Sequence, residues 1–154
     1  MQTLITDFLD PGELVDGDLR LLLAARVPAN PAKGYVPAYE FAMTEGASGA
    51  PVGRIALRLG ASDFLIRYAG QIGYGVDEPY RGRHYAARSC RLLVPLAQAH
   101  GFEELWITCN PDNLASRRSC ELAGAELVEI VALPEDCDMY ERGERFKCRY
   151  RLRW

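Results

Sequence analysis

Histidine is scarce. With only His84 and His100 in 154 residues, a multi-histidine metal site is not expected, and no metal is assigned. The five cysteines (Cys90, Cys109, Cys120, Cys137 and Cys148) are odd in number and never stand as Cys-x-x-Cys. Neither a disulfide framework nor a zinc knuckle follows, and they read as small core residues of a reduced protein. No run approaches the ~20 apolar residues of a membrane span. Residues 1–10 hold two acids and no base, unlike a secretion signal. A cytoplasmic protein without a membrane partner is expected. Excess positive charge is missing too: a net charge of −3 and a pI near 5.4 argue against nucleic acid as the main partner and suit a cationic one. Repeats and low-complexity segments are also lacking.

What is present suits one compact domain spanning residues 1–154, since 49% of residues are hydrophobic and 25% charged. Residues 1–18 hold Pro11, Gly12 and Gly17 without a sustained period and read as an irregular lead-in with one helical turn. Leu19–Val27 reads as a strand because the Pro- and Gly-bearing stretch behind it would break a helix. Residues 36–45 set Tyr39, Phe41 and Met43 against Glu40, Ala42 and Thr44, and residues 52–59 set Ile55, Leu57 and Leu59 against Arg54, Ala56 and Arg58. Two period-2 segments joined by a glycine-bearing turn predict an antiparallel hairpin. Residues 60–68 read as a connector.

Residues 72–100 concentrate the chemistry: a glycine-bearing strand, a turn at Glu78-Pro79, the cluster Arg81-Gly82-Arg83-His84, then a helical period. The first turn of a helix offers unpaired N–H groups and a positive dipole end, which suits a pyrophosphate. Pro95 inside the helical pattern predicts a kink or short break. Glu104–Cys109 reads as a strand, residues 110–113 as cap residues for a helix over 114–123, and Gly124 as its end. Residues 125–132 and 146–154 alternate again. The basic face of the last segment (Lys147, Arg149, Arg151 and Arg153) reads as solvated, and acidic residues 134–144 as an exposed loop.

These segments resemble the GNAT superfamily of acetyl-CoA-dependent N-acetyltransferases over roughly residue 35 to the C-terminus. Its phosphate-binding pattern (Gln or Arg, two variable residues, Gly, one variable residue, Gly or Ala) is similar to Arg81-Gly82-Arg83-His84-Tyr85-Ala86, with histidine where glycine is usual. A second match, residues 107–127, resembles the family's strand–Asn–helix–Gly segment. The resemblance implies an α/β (α+β) fold: a mixed, mostly antiparallel sheet of six to seven strands, splayed at the cofactor site, with helices on both faces. It implies acetyl-CoA as cofactor, held by Tyr74, Gly75 and Val76, by residues 81–86, and by Asn110, Asn113 and Ser116. It further implies acetyl transfer to a primary amine of a small molecule or peptide by direct attack; an acyl-CoA-binding module without turnover is the alternative.

Other roles stay open. Glu40, Asp77 and Glu78 are the acids nearest the implied opening and candidates for the base. The family's usual tyrosine aligns with Cys120, leaving Cys120, Tyr74 or Tyr85 as proton donor. Asn113 and Ser116 either contact the cofactor or cap the helix. His84 either adds charge near phosphate or is tolerated at the helix start, and is expected to hold a negative φ. The stretch before Tyr35 is too short for the two helices that usually shape the acceptor pocket, so the acceptor side is open or completed by a second copy in a homodimer.

Overall fold

The computed structural model describes residues 3–154. Eight strands form one sheet: β1 (Leu14–Asp16), β2 (Leu19–Val27), β3 (Ala38–Glu45), β4 (Ala50–Arg58), β5 (Ile72–Val76), β6 (Glu104–Cys109), β7 (Glu126–Ala132) and β8 (Phe146–Arg153). Their order is β1-β2-β3-β4-β5-β6-β8-β7, one more strand than the upper expectation. All neighbours are antiparallel except β5 and β6, which run parallel and meet in register only at Ile72 and Ile107. Beyond that bridge the two strands part. The splay therefore lies between an antiparallel block β1–β5 and a second block β6-β8-β7.

Strand alternation sorts the two faces. Phe41 lies opposite Ile55 and Ile55 opposite Tyr74, while Tyr39 lies opposite Leu57 and Leu57 opposite Ile72. These side chains share the face that packs against Tyr85, Ala87, Cys90, Leu93 and Cys120 of the helices. Each large apolar group buried there contributes roughly 1.5–3 kcal/mol. The helices are α1 (Tyr85–Leu92), α2 (Val94–Ala99) and α3 (Leu114–Leu122); a short α4 (Asp138–Glu141) precedes β8. The predicted break falls at Leu93, with Pro95 in the first turn of α2, where its missing N–H costs nothing. The other face carries a π-helical turn, Leu65–Ala69, packed over β6 and β8.

Four local readings change. Within the lead-in, Leu14–Asp16 is a strand paired with Leu19–Leu21, and a helical turn is not found among the described residues of that segment. The connector at 60–68 is partly π-helical, and residues 134–144 include α4 and the buried Cys137. Lys147 and Arg149 are not solvated: each is 7% exposed. Arg149 lies 4.1 Å over the Trp106 ring, pairs with Glu129 at 2.7 Å and donates to the Ile66 carbonyl of the π-turn. A basic stripe can be a buried face when an aromatic ring, a carboxylate and a carbonyl wait for it.

Candidate active site

β5 is the strand at the splay, and its hydrogen bonding decides what it offers. Arg58 N donates to Gln71 O and Asp77 N to Val52 O, both at 2.8 Å, with Gly73 and Gly75 opposite Ala56 and Arg54. Alternate residues of a ladder turn their backbone groups to the same neighbour. Odd-numbered residues of β5 therefore serve β4, and the N–H groups of Tyr74 and Val76 point to the side from which β6 has withdrawn. The Val76 carbonyl accepts from Arg81 Nε at 3.0 Å, which ties the following turn to the strand's end.

A cavity of about 540 Å³ runs from this edge to α1 and α3. Tyr74, Gly75, Val76, Arg81, Gly82, His84, Tyr85, Ala86, Asn113 and Ser116 all line it, as the sequence reading brought together. The predicted Arg83, Asn110, Glu78, Glu40 and Cys120 do not. Arg83 turns outward to Glu45, 2.6 Å away, so only its backbone belongs to the turn. Asn110 is absent from the lining, and its Oδ1 is buried without a partner. Glu78 sits in the exposed turn Glu78–Tyr80. Glu40, opposite Ala56, projects from the face away from the helices. Among the described residues, no carboxylate lines this cavity.

His84 departs from its expected conformation. Its φ is 62° and ψ 24°, left-handed, and it is the one non-glycine residue described with a positive φ. Gly82, two residues earlier, also has a positive φ of 91°. The chain must reverse sharply between β5 and α1, and histidine accepts the left-handed region there rather than avoiding it. The first-turn N–H groups of α1 then face the cavity end near Arg81 and Gly82.

Tyr74 reaches from β5 to α3. Its hydroxyl lies 2.8 Å from Ser116 Oγ, 3.1 Å from Ser116 O and 3.6 Å from Cys120 Sγ. Burial, foremost, pushes its phenol above the ordinary tyrosine range, so it stays protonated. Cys120 is raised and Cys109 lowered, to about 7, each chiefly through the hydrogen bond between them: Cys120 keeps the proton and Cys109 accepts it. Asn113 Oδ1 accepts from Ser116 N at 3.1 Å and so caps α3 while lining the cavity. Sequence reasoning missed Cys109 as part of this cluster, because only the fold brings the end of β6 beside α3.

RimL, a ribosomal L7/L12 alpha-N-protein acetyltransferase, matches with a TM-score of 0.63 at 18% identity, over 90% of this chain and 95% of that one. The microcin C7 self-immunity acetyltransferase MccE, solved with acetyl-CoA and AMP, matches at TM-score 0.58 and 16% identity over 76% of this chain. RimJ of Mycobacterium smegmatis, solved with CoA-disulfide, matches at TM-score 0.57 and 17% identity over 75%. The matched region spans 61% of MccE and 53% of RimJ. At such identities the likeness shows a shared fold. No curated protein sequence matches the chain significantly. The acetyltransferase (GNAT) domain model matches residues 9–126, the larger part of the chain, which therefore belongs to the GNAT acetyltransferase family.

Proposed function

We propose that the protein is an acetyl-CoA-dependent N-acetyltransferase that moves an acetyl group to a primary amine by direct attack in a ternary complex. One observation carries this: the unpaired N–H edge of β5 runs into the Arg81–Gly82 turn and the first turn of α1 along a single cavity. The residues fit the cofactor. A Cβ at Gly82 would meet no atom within 4 Å, so there is room for the phosphates to approach the backbone of the turn. Acetyl-CoA supplies a thioester acetyl group and a thiolate leaving group.

Each residue's part follows from its chemistry. The N–H groups of Tyr74 and Val76 hold amide oxygens and the developing oxyanion. The N–H groups of Gly82 to Ala86, with the Arg81 guanidinium, hold the pyrophosphate. Tyr74, kept protonated by burial, is the donor toward the departing sulfur, and Ser116 orients its hydroxyl. Cys120 borders the same hydroxyl and is the second candidate. Glu40 and Glu78 lie outside the cavity, so the ammonium proton reaches either only through water. The name of RimL, a ribosomal L7/L12 alpha-N-protein acetyltransferase, supports an amine acceptor without narrowing it. Five free, buried cysteines suit a reducing cytoplasm.

The test is calorimetric titration with acetyl-CoA, followed by CoA release across small and peptide amines. We expect binding and amine-dependent release. Replacing Tyr74 with Phe should lower kcat by roughly 100-fold or more while the KM for acetyl-CoA changes little. An unchanged kcat would remove Tyr74 as donor. The absence of any cavity-lining carboxylate favours one other reading, an acyl-CoA-binding module. Tight binding with no release for any amine would establish that instead, and no binding would overturn both.

A further inference from the structure

On the helix-free face β5 contributes no side chain of its own. Its two residues facing that way are Gly73 and Gly75, and their neighbours across β4 are Ala56 and Arg54. Arg58, two residues beyond Ala56, shares this face by strand alternation. Its guanidinium lies over Gly73: a Cβ at residue 73 would come within 3.0 Å of Nη2. That nitrogen occupies the space a side chain would take. Nη1 donates to the carbonyls of Gly70 at 2.8 Å and Ala69 at 3.3 Å, and among the described residues no acid pairs with the group. Burial alone moves its pKa, downward, as expected of a cation without a counter-charge. Arg54, beside Gly75, is exposed and makes no ion pair with any described residue. By contrast Arg149, Arg151 and Arg153 of β8 all pair with glutamates of β7. The acids of the region, Glu40 beyond Ala56 and Asp77 and Glu78 in the turn after β5, pair with neither guanidinium.

Two unneutralised guanidiniums thus border this face, Arg58 covering Gly73 and Arg54 standing beside the open backbone of Gly75, and the other edge of that same short strand carries the N–H groups of Tyr74 and Val76. A half-buried guanidinium anchored by carbonyls is pre-set to receive a planar carboxylate through its remaining donors. We propose that this face is the acceptor site and that the acceptor is an amine with a carboxylate a few bonds away. Arg58 binds the carboxylate and Arg54 reinforces it, leaving the amine directed at the splay. This rests on the acetyltransferase reading and adds the substrate class. The shared chemistry has two sources, a free amino acid or a polypeptide beginning with an acidic residue.

The experiment compares matched acceptors in two arms: free α-amino acids against their amides, and C-terminally amidated peptides beginning Asp or Glu against those beginning Asn or Gln. The anionic member should have the higher kcat/KM by about 10-fold or more in one arm, carried by acceptor KM, and that arm names the source. Arg58→Gln should bring the ratio close to one, and Arg58→Lys should keep part of it. The same pairs titrated calorimetrically onto the CoA-loaded protein give the ratio in Kd. A protein that turns nothing over but keeps an Arg58-dependent preference in Kd would refute the reaction and leave the site standing. A ratio near one in both arms of the native protein, or one unchanged in Arg58→Gln, overturns the proposal. Should Arg58→Gln fail to fold, Arg54→Gln, whose side chain makes no internal bond, decides: an undiminished ratio counts against the site.

Discussion

His84 holds a left-handed backbone that costs a residue with a Cβ roughly 1–2 kcal/mol. Glycine would remove that cost but bring back some unfolded-state entropy, of order 0.5–1 kcal/mol. His84→Gly should therefore raise stability by about 0.5–1 kcal/mol in urea unfolding; a clear loss would show that the imidazole makes bonds of its own. If the same variant binds acetyl-CoA as well as or better than native, the ring adds no charge to phosphate binding. Cys109 gives a pH signature. Its value falls to about 7 from an ordinary 9.0, first because the Cys120 thiol donates to it. A lowered folded value means that the unfolded chain holds more protons between about pH 7 and 9, so stability rises with pH across that window. The contribution is complete above about 9 and lost as pH falls through 7. The difference between native and Cys109→Ser unfolding curves should show this rise, and parallel profiles would refute it. At this scale the sequence names the lining residues well but not their partners. Tyr74 and Ser116 are 42 positions apart, and only the closing of α3 over β5 makes them neighbours.

At the scale of elements, period and punctuation were good guides where one face is buried. The alternation in β3, β4 and β8 and the break ahead of Pro95 are direct consequences of side-chain geometry. Three elements escaped for definable reasons. β1 has three residues, too few for any period, and exists because β2 offers it an edge. The π-turn is set by docking over β6 and β8, including its Ile66 carbonyl on Arg149, rather than by its own pattern. In β8 the pattern shows which residues share a face but not what covers it, hence the buried Lys147 and Arg149. Asn113 resolves one alternative physically, since it caps α3 whether or not it also touches a ligand. Asn113→Ala should cost about 1 kcal/mol of stability. Thermal unfolding checks this, and an unchanged midpoint would mean that water replaces the cap.

Across the whole molecule, the N-terminal arm is fastened to the core through His100. Ile5 N donates to His100 O at 2.8 Å, and His100 Nδ1 lies 2.6 Å from Ile5 O. A carbonyl only accepts, so Nδ1 carries the hydrogen and Nε2 receives the Tyr39 hydroxyl, 2.7 Å away. Leu9 N in turn donates to that hydroxyl at 2.7 Å. His100→Phe keeps the ring volume but removes the donor to the Ile5 carbonyl and leaves the Tyr39 hydroxyl only the longer bond to Leu9 O, 3.2 Å away. The variant should be destabilised by roughly 1–3 kcal/mol in urea unfolding, with earlier proteolysis near residue 9; native-like stability would mean that the arm contributes nothing. The lone bridge between Ile72 and Ile107 has a mechanical consequence. Gln71 N on Trp106 O clamps the same end of the gap, and across the open end the two blocks meet through Tyr74 on Ser116 of α3. The gap is therefore hinged at one end, and a ligand paired along Tyr74 and Val76, as proposed, adds rungs at the other.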